Sequence, residues 1–199
     1  MANKKRDGAE GETVASRLGL GVLSVLLFPT SQPSSHPHRL LFITDELFPL
    51  IAAEWRVGPG DHALFGYSYG GLFAAYAALR RPSLITRVGA GSPGILSGSS
   101  KIFDLYRADF AGGVDHSGRR LHVTVCETEL TVPGYYQAAI GAGTAEFLTL
   151  TGSKPLKGLT VTSRIIPLES HATGGPSSWA DYLRTCLPGK PGQSPLAGP

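Results

Sequence analysis

The chain has 199 residues and a formal net charge of +3, enough length for one domain with a real core. Its basic residues cluster at Lys4, Lys5 and Arg6 and at Arg119 and Arg120, without interleaved aromatics, which argues against a nucleic-acid surface. No run reaches the roughly 20 apolar residues of a membrane span. Two cysteines, Cys126 and Cys186, are too few for a disulfide framework and read as buried thiols, with one bridge between them left open.

Residues 1–39 carry little pattern and read as a leader. Within it, Leu18 to Phe28 is apolar and follows basic residues, as the core of a secretory signal would. Asp7, Glu10 and Glu12 interrupt the basic region and no small-residue cleavage site follows. A cytoplasmic protein is therefore expected, with secretion as the alternative and a buried strand as a third reading of 18–28. Thr30 to His38 is a Ser/Pro-rich loop. From Leu40 to Val57 apolar residues recur at helical spacing (Leu47, Leu50, Ile51, Trp55), with Thr44 or Asp45 as cap and Pro49 in the first turn. Gly58 to Asp61 stops this helix.

A strand at 62–67 and a helix at 70–81 follow, ended by Pro82. Ile85 to Ala90 is the next strand and closes on Gly91-Ser92-Pro93-Gly94. The spacing then predicts a helix from about Ser100 to Phe110, a loop over 112–118 and a strand at Leu121–Cys126. A long helix at Pro133–Thr151 follows, weakened by Gly141 and Gly143. A strand at Leu159–Leu168 and a closing helix at Pro176–Leu187 complete the pattern, with Trp179, Leu183 and Leu187 on one face. The Pro/Gly-rich segment 188–199 reads as a disordered tail. Strands alternating with helices over 40–187 imply an α/β domain with a mostly parallel sheet, whose function sits at the carboxyl ends of its strands.

Three such ends carry chemistry. The first is Gly66-Tyr67-Ser68-Tyr69-Gly70. In a chain with 26 Gly and 18 Ser this Gly-x-Ser-x-Gly string arises by chance about 0.3 times. Its flanks make it specific: an apolar run precedes it and an amphipathic one follows. That is the outline of a nucleophile elbow, a strained strand-to-helix turn that exposes a serine, here Ser68. The glycines at 66 and 70 suit the close packing of strand on helix, and the helix N-terminus aims the N–H of Tyr69 at a developing oxyanion.

A serine hydroxyl needs a base. His171 follows the last strand within the small, flexible turn 170–175 and is the candidate. The imidazole needs an acid to fix its tautomer. Glu129 and Glu127 follow the preceding strand; Glu129 is preferred because Glu127 belongs to the strand's end, and a Ser68–His171 dyad without acid is the third arrangement. The order Ser68, Glu129, His171 is that of the α/β-hydrolases. The strand and loop that would supply a second oxyanion donor are not found. Tyr67 and Ser92 are candidates to line a substrate pocket. Tyr135 and Tyr136 read as a helix face. His36 and His38 make a poor metal site, and His62, His116 and His122 show no partner. No P-loop or dinucleotide fingerprint is present.

Leu47 to Pro49, Trp55-Arg56, Phe65 to Gly71, Ala90 to Pro93, the Glu127/Glu129 segment and Ser170-His171 occur in that order. Together they resemble the putative esterase family of α/β-hydrolases, which includes esterase D, siderophore esterases, feruloyl esterase modules and mycolyl transferases. The Phe-Gly-x-Ser-x-Gly-Gly-Leu-Phe string and the Gly-Ser-Pro turn lean toward the siderophore-esterase branch. The resemblance implies a three-layer α/β-hydrolase sandwich, Ser68 as nucleophile, His171 as base, the Tyr69 amide in the oxyanion hole, a small-molecule ester substrate, and neither cofactor nor metal. Two departures stand out. Tyr67 replaces a histidine common in relatives, and Gly94-Ile95-Leu96 lacks the aromatics that follow Gly-Ser-Pro, so the resemblance does not extend to a catecholate substrate. Relatives also carry several strands before the helix matching 40–57, where only Leu20 to Phe28 could serve here. The expectation is an N-terminally shortened hydrolase with the Ser68 strand at or near a sheet edge. A serine esterase is the leading reading; an inactive hydrolase-like domain and an acyltransferase using the same serine are the alternatives.

Overall fold

Residues 62–67 are buried at their four central positions and half-buried at both ends, the mark of a strand covered on both faces. Side chains on a strand point alternately to its two sides. Leu64 joins one apolar cluster, while Ala63 and Phe65 join another. The structure, a computed structural model, describes residues 22–25, 36–55, 62–80 and 84–187. Among these, five strands form one parallel sheet in sequence order: β1 (Val22–Val25), β2 (His62–Tyr67), β3 (Ile85–Gly91), β4 (Arg119–Cys126) and β5 (Leu159–Ile166). β2 is thus second in the sheet, near an edge as expected, and β1 falls inside the apolar run 18–28. Residues 1–21, 26–35, 56–61, 81–83 and the tail 188–199 lie outside the described residues.

Every crossover from β1 to β5 steps the same way across the sheet. A right-handed connection then places all the connecting helices on one face. The burial agrees. Leu40, Ile43 and Phe48 from α1 (36–54), Phe73 from α2 (Tyr69–Arg80), Phe103 and Tyr106 from α3 (Lys101–Ala111), and Phe147 from α5 (135–153) share one cluster with Leu64, Val88, Leu121 and Val123 of the sheet. The short α4 (Glu127–Thr131) stands at the mouth of β4. The closing helix α6 (Gly174–Cys186) has no strand to follow and covers the other face, where Tyr182 and Cys186 pack on Ala63 and Phe65. Both cysteines are free and buried.

Helix α1 departs from the sequence reading. It begins at His36, inside the stretch read as a loop, because proline is tolerated in a first helical turn, where Pro37 sits. Thr44 and Asp45 are therefore interior residues rather than caps, and the Thr44 hydroxyl bonds back to the Leu40 carbonyl at 3.0 Å. Pro49 lies mid-helix without an N–H to donate. The preceding turn, Phe42–Leu47, widens into a π-helix in which the Phe48 N–H bonds to the Ile43 carbonyl. One extra residue turns the following side chains by about 100°, so Leu50 and Trp55 face outward at 59% and 70% exposure.

At the amino ends of the strands a buried polar cluster joins α2, α3 and β4. The Arg119 guanidinium donates to the Ala78 carbonyl and to His116 Nδ1, the latter at 2.8 Å. His116 Nε2 lies 3.3 Å from Asp109, whose other oxygen holds Arg80 at 3.2 Å. Burial pushes the His116 imidazole below its ordinary range, and the Arg119 charge adds to the effect. Burial also pulls the Arg119 guanidinium down to about 10.

Because the folded state resists protonation at His116, the unfolded chain takes that proton first. The stability it contributes is whole above the ordinary histidine value of about 6.5 and drains away as pH falls below it. Urea midpoints are expected to decline between about pH 7 and 5, and His116→Gln to flatten that decline.

Candidate active site

The sharp turn between β2 and α2 places Ser68 at φ +59°, a left-handed conformation that only surrounding structure can hold. Three bonds hold it: its N–H donates to the Gly91 carbonyl at 2.9 Å, and its carbonyl accepts the N–H groups of Gly94 and Leu72 at 2.9 and 3.1 Å. The glycines permit the approach. A Cβ at Gly66 would strike the Gly70 backbone, and one at Gly71 the carbonyl of Gly91. The crowding thus falls on Gly66 and Gly71, with Gly70 contributing the backbone that Gly66 abuts. Tyr69 opens α2, so its N–H has no acceptor within the helix and sits at the positive end of the helix dipole.

His171 arrives from the loop after β5. Its Nε2 is 3.0 Å from Ser68 Oγ and its Nδ1 is 2.6 Å from Glu129 Oε1. A carboxylate only accepts, so Nδ1 carries the proton and Nε2 is free to accept from the serine. Glu129 is wholly buried. Its second oxygen accepts the Cys126 N–H and the Ser92 hydroxyl, each at 2.8 Å. The Cys126 bond is half of a capping box: Glu129 is the N3 residue of α4, and its side chain reaches back to the N-cap amide of Cys126. The acid therefore stabilises its own helix terminus with one oxygen and holds the imidazole with the other.

Glu127, the alternative acid, opens α4 instead of ending the strand. Its carboxylate accepts the Leu168 N–H at 2.7 Å, and Leu168 stands at φ +60°. Thr128 adds two bonds, from its N–H and its hydroxyl, to the Glu169 carbonyl. The first turn of α4 thus carries the acid and clamps the loop that bears His171.

One site expectation needs correction. Ser92 is wholly buried with its hydroxyl bonded to Glu129, so it lies behind the acid and not in a pocket wall. Tyr67 is half-buried beneath the base: its hydroxyl donates to the His171 carbonyl at 2.9 Å and its ring stacks on the imidazole at 5.2 Å. Burial first, then its contact with Cys126, pushes the Tyr67 phenol well above its ordinary range.

Tyr136, read as a helix-face residue, stacks on His171 at 4.4 Å and is 46% exposed. Nothing local in the sequence announces this, because it depends on how the start of α5 docks. Gly141 and Gly143, read as weak points of α5, are its points of closest approach. A Cβ at the first would meet the Glu129 carbonyl and one at the second the Ile95 carbonyl. Of the remaining histidines, His122 bonds Thr162 and Asp181, and His62 packs on Phe48. Among the described residues no group of three or more His, Cys, Asp or Glu is placed to hold a metal ion.

A parallel sheet with helices on both faces and a strained serine at the mouth of a strand define the α/β-hydrolase class. The chain belongs to the family described as "Putative esterase", which matches residues 24–129, more than half its length. Three similar solved structures share the fold. Siderophore hydrolase EstB from Aspergillus nidulans is 22% identical over 76% of this chain and 59% of its own, with a TM-score of 0.62. An IroE-like serine hydrolase from Shewanella oneidensis is 24% identical over 73% and 45%, at 0.57. The CE1 ferulic acid esterase AmCE1/Fae1A from Anaeromyces mucronatus is 14% identical over 81% and 59%, at 0.59. The chain thus spans between 45% and 59% of the length of these structures. A search of curated proteins gave no match.

Gly141→Ala is expected to cost about 1–3 kcal/mol in urea unfolding, because the added methyl overpacks α5 against α4 at the Glu129 carbonyl. Gly152→Ala in the same helix, where a Cβ meets nothing within 4 Å, is expected to be neutral or stabilising.

Proposed function

We propose that this chain hydrolyses carboxylic esters through an acyl-enzyme on Ser68. The unbroken relay Ser68 Oγ–His171 Nε2–Glu129, with bonds of 3.0 and 2.6 Å, carries the reading. Oγ attacks the ester carbonyl as Nε2 takes its proton, and Glu129 stabilises the imidazolium that forms. The oxyanion of the tetrahedral intermediate faces the Tyr69 N–H; a donor of this kind is worth about 3 kcal/mol. Collapse expels the alcohol, protonated from Nε2. Water, activated by the same nitrogen, then releases the acid and restores Ser68.

The second oxyanion donor in this class comes from a loop after a strand near the sheet's start. The segment after β1, 26–35, lies outside the described residues. Tyr69 and Tyr136, 53% and 46% exposed, present uncharged rings beside the serine and the base, which favours a small, neutral ester. Two of the similar structures bear the names siderophore hydrolase and ferulic acid esterase, so both ester classes belong in a first substrate panel.

A fluorophosphonate probe is expected to label Ser68 in the purified chain, with labelling lost in Ser68→Ala and slowed in His171→Ala. Absence of labelling in folded, monodisperse protein overturns the reading. On an ester that is turned over, Glu129→Gln is expected to lower kcat by about 10³- to 10⁴-fold, since a carboxamide can present the wrong group to Nδ1. Glu127→Gln, which touches only the loop, is expected to cost less than about tenfold.

A further inference from the structure

Ser92 follows β3 at φ +38° with no exposure to solvent. A side chain is strained there, and nothing at the surface rewards it. Its hydroxyl, however, donates to Glu129 Oε2 at 2.8 Å. The Cys126 N–H occupies the same oxygen, which leaves Oε1 to His171. The Cys126 thiol lies 3.4 Å from the Ser92 hydroxyl and 3.4 Å from that of Tyr67. Burial raises both the thiol and the phenol, so both stay neutral beside the carboxylate. The turn is also tied to the nucleophile, through the bonds from the Ser68 N–H to the Gly91 carbonyl and from the Gly94 N–H to the Ser68 carbonyl.

We propose that Ser92 is a positioning residue whose hydroxyl fixes the rotation of the Glu129 carboxylate, so that Oε1 stays on His171 while the same turn holds Ser68. The inference rests on the triad reading above for its effect on catalysis, but its geometric content does not. A packing role would be served equally by alanine. A role in backbone strain would be served better by glycine.

The test compares wild type, Ser92→Ala and Ser92→Gly. Alanine removes the hydroxyl and keeps the strain; glycine removes the hydroxyl and adopts the left-handed turn without strain, so a folded variant is secured. The readouts are kcat and KM on a p-nitrophenyl ester, and the His171 Nδ1 proton in protein carrying ¹⁵N-histidine. Both variants are expected to lose about 10- to 100-fold in kcat, with KM within about twofold, and to show the Nδ1 proton broadened by exchange with water. Wild-type kcat and an undisturbed proton in Ser92→Gly overturn the proposal and leave the esterase reading standing. A wild type that neither turns over ester nor labels at Ser68, yet shows a protected proton that both variants lose, overturns the esterase reading and upholds the positioning role.

Discussion

A carboxylate removed from water is costly unless donors replace the water, and the Glu129 side chain is answered by three: the Cys126 amide, the Ser92 hydroxyl and the His171 imidazole. Removing one hydrogen-bond partner from such a buried group costs about 1–3 kcal/mol, so the segments that supply the donors are bound to each other through the acid. The end of β4, the turn after β3 and the loop after β5 meet here. Helix α5 meets them too, seated against the Glu129 carbonyl at Gly141.

The sheet explains why these pieces come within reach. Parallel strands in sequence order bring the carboxyl ends of β2, β3, β4 and β5 to one rim. The elbow at Ser68 and the turn at Ser92 hydrogen-bond across β2 and β3, and Ser92 in turn donates its N–H to the Thr124 carbonyl of β4. Among the described residues, two of the three non-glycine residues at positive φ, Ser68 and Ser92, lie in this chain of contacts, and the third, Leu168, lies in the loop that delivers His171. Strain is concentrated where the geometry has to be specific.

Much of this was legible in the sequence. Strand β2 and helix α2 announce themselves because an apolar run, a glycine-flanked serine and an amphipathic run each have a local physical cause. The order Ser68, Glu129, His171 follows from strand ends alone. The sequence favours Glu129 over Glu127 by placing Glu127 at the strand's end; the structure places both on α4, and spacing from the N-cap makes Glu129 the capping-box residue. What stayed hidden was tertiary. Ser92 looked like a pocket residue because its turn sits at the correct rim, but one neighbouring carboxylate turns it inward. Tyr136 and Gly141 depend on where α5 docks, which no local pattern encodes. The start of α1 was misread because Ser/Pro-rich sequence suggests a loop, while a proline in a first turn is compatible with helix. The phase of its apolar face was lost to a π turn ahead of Pro49.

The Ser68–His171 bond spans 103 residues of chain, and the bond from His171 to Glu129 spans 42. The large apolar cluster is built from α1, α2, α3, α5 and the sheet, whereas α6, which begins three residues after His171, packs on a separate and smaller one. Contacts across so long a loop are rewarded only after its closure entropy has been met. Closure of the Ser68–His171 contact is therefore tied to the docking of α6 on its own small cluster rather than to the assembly of the larger one.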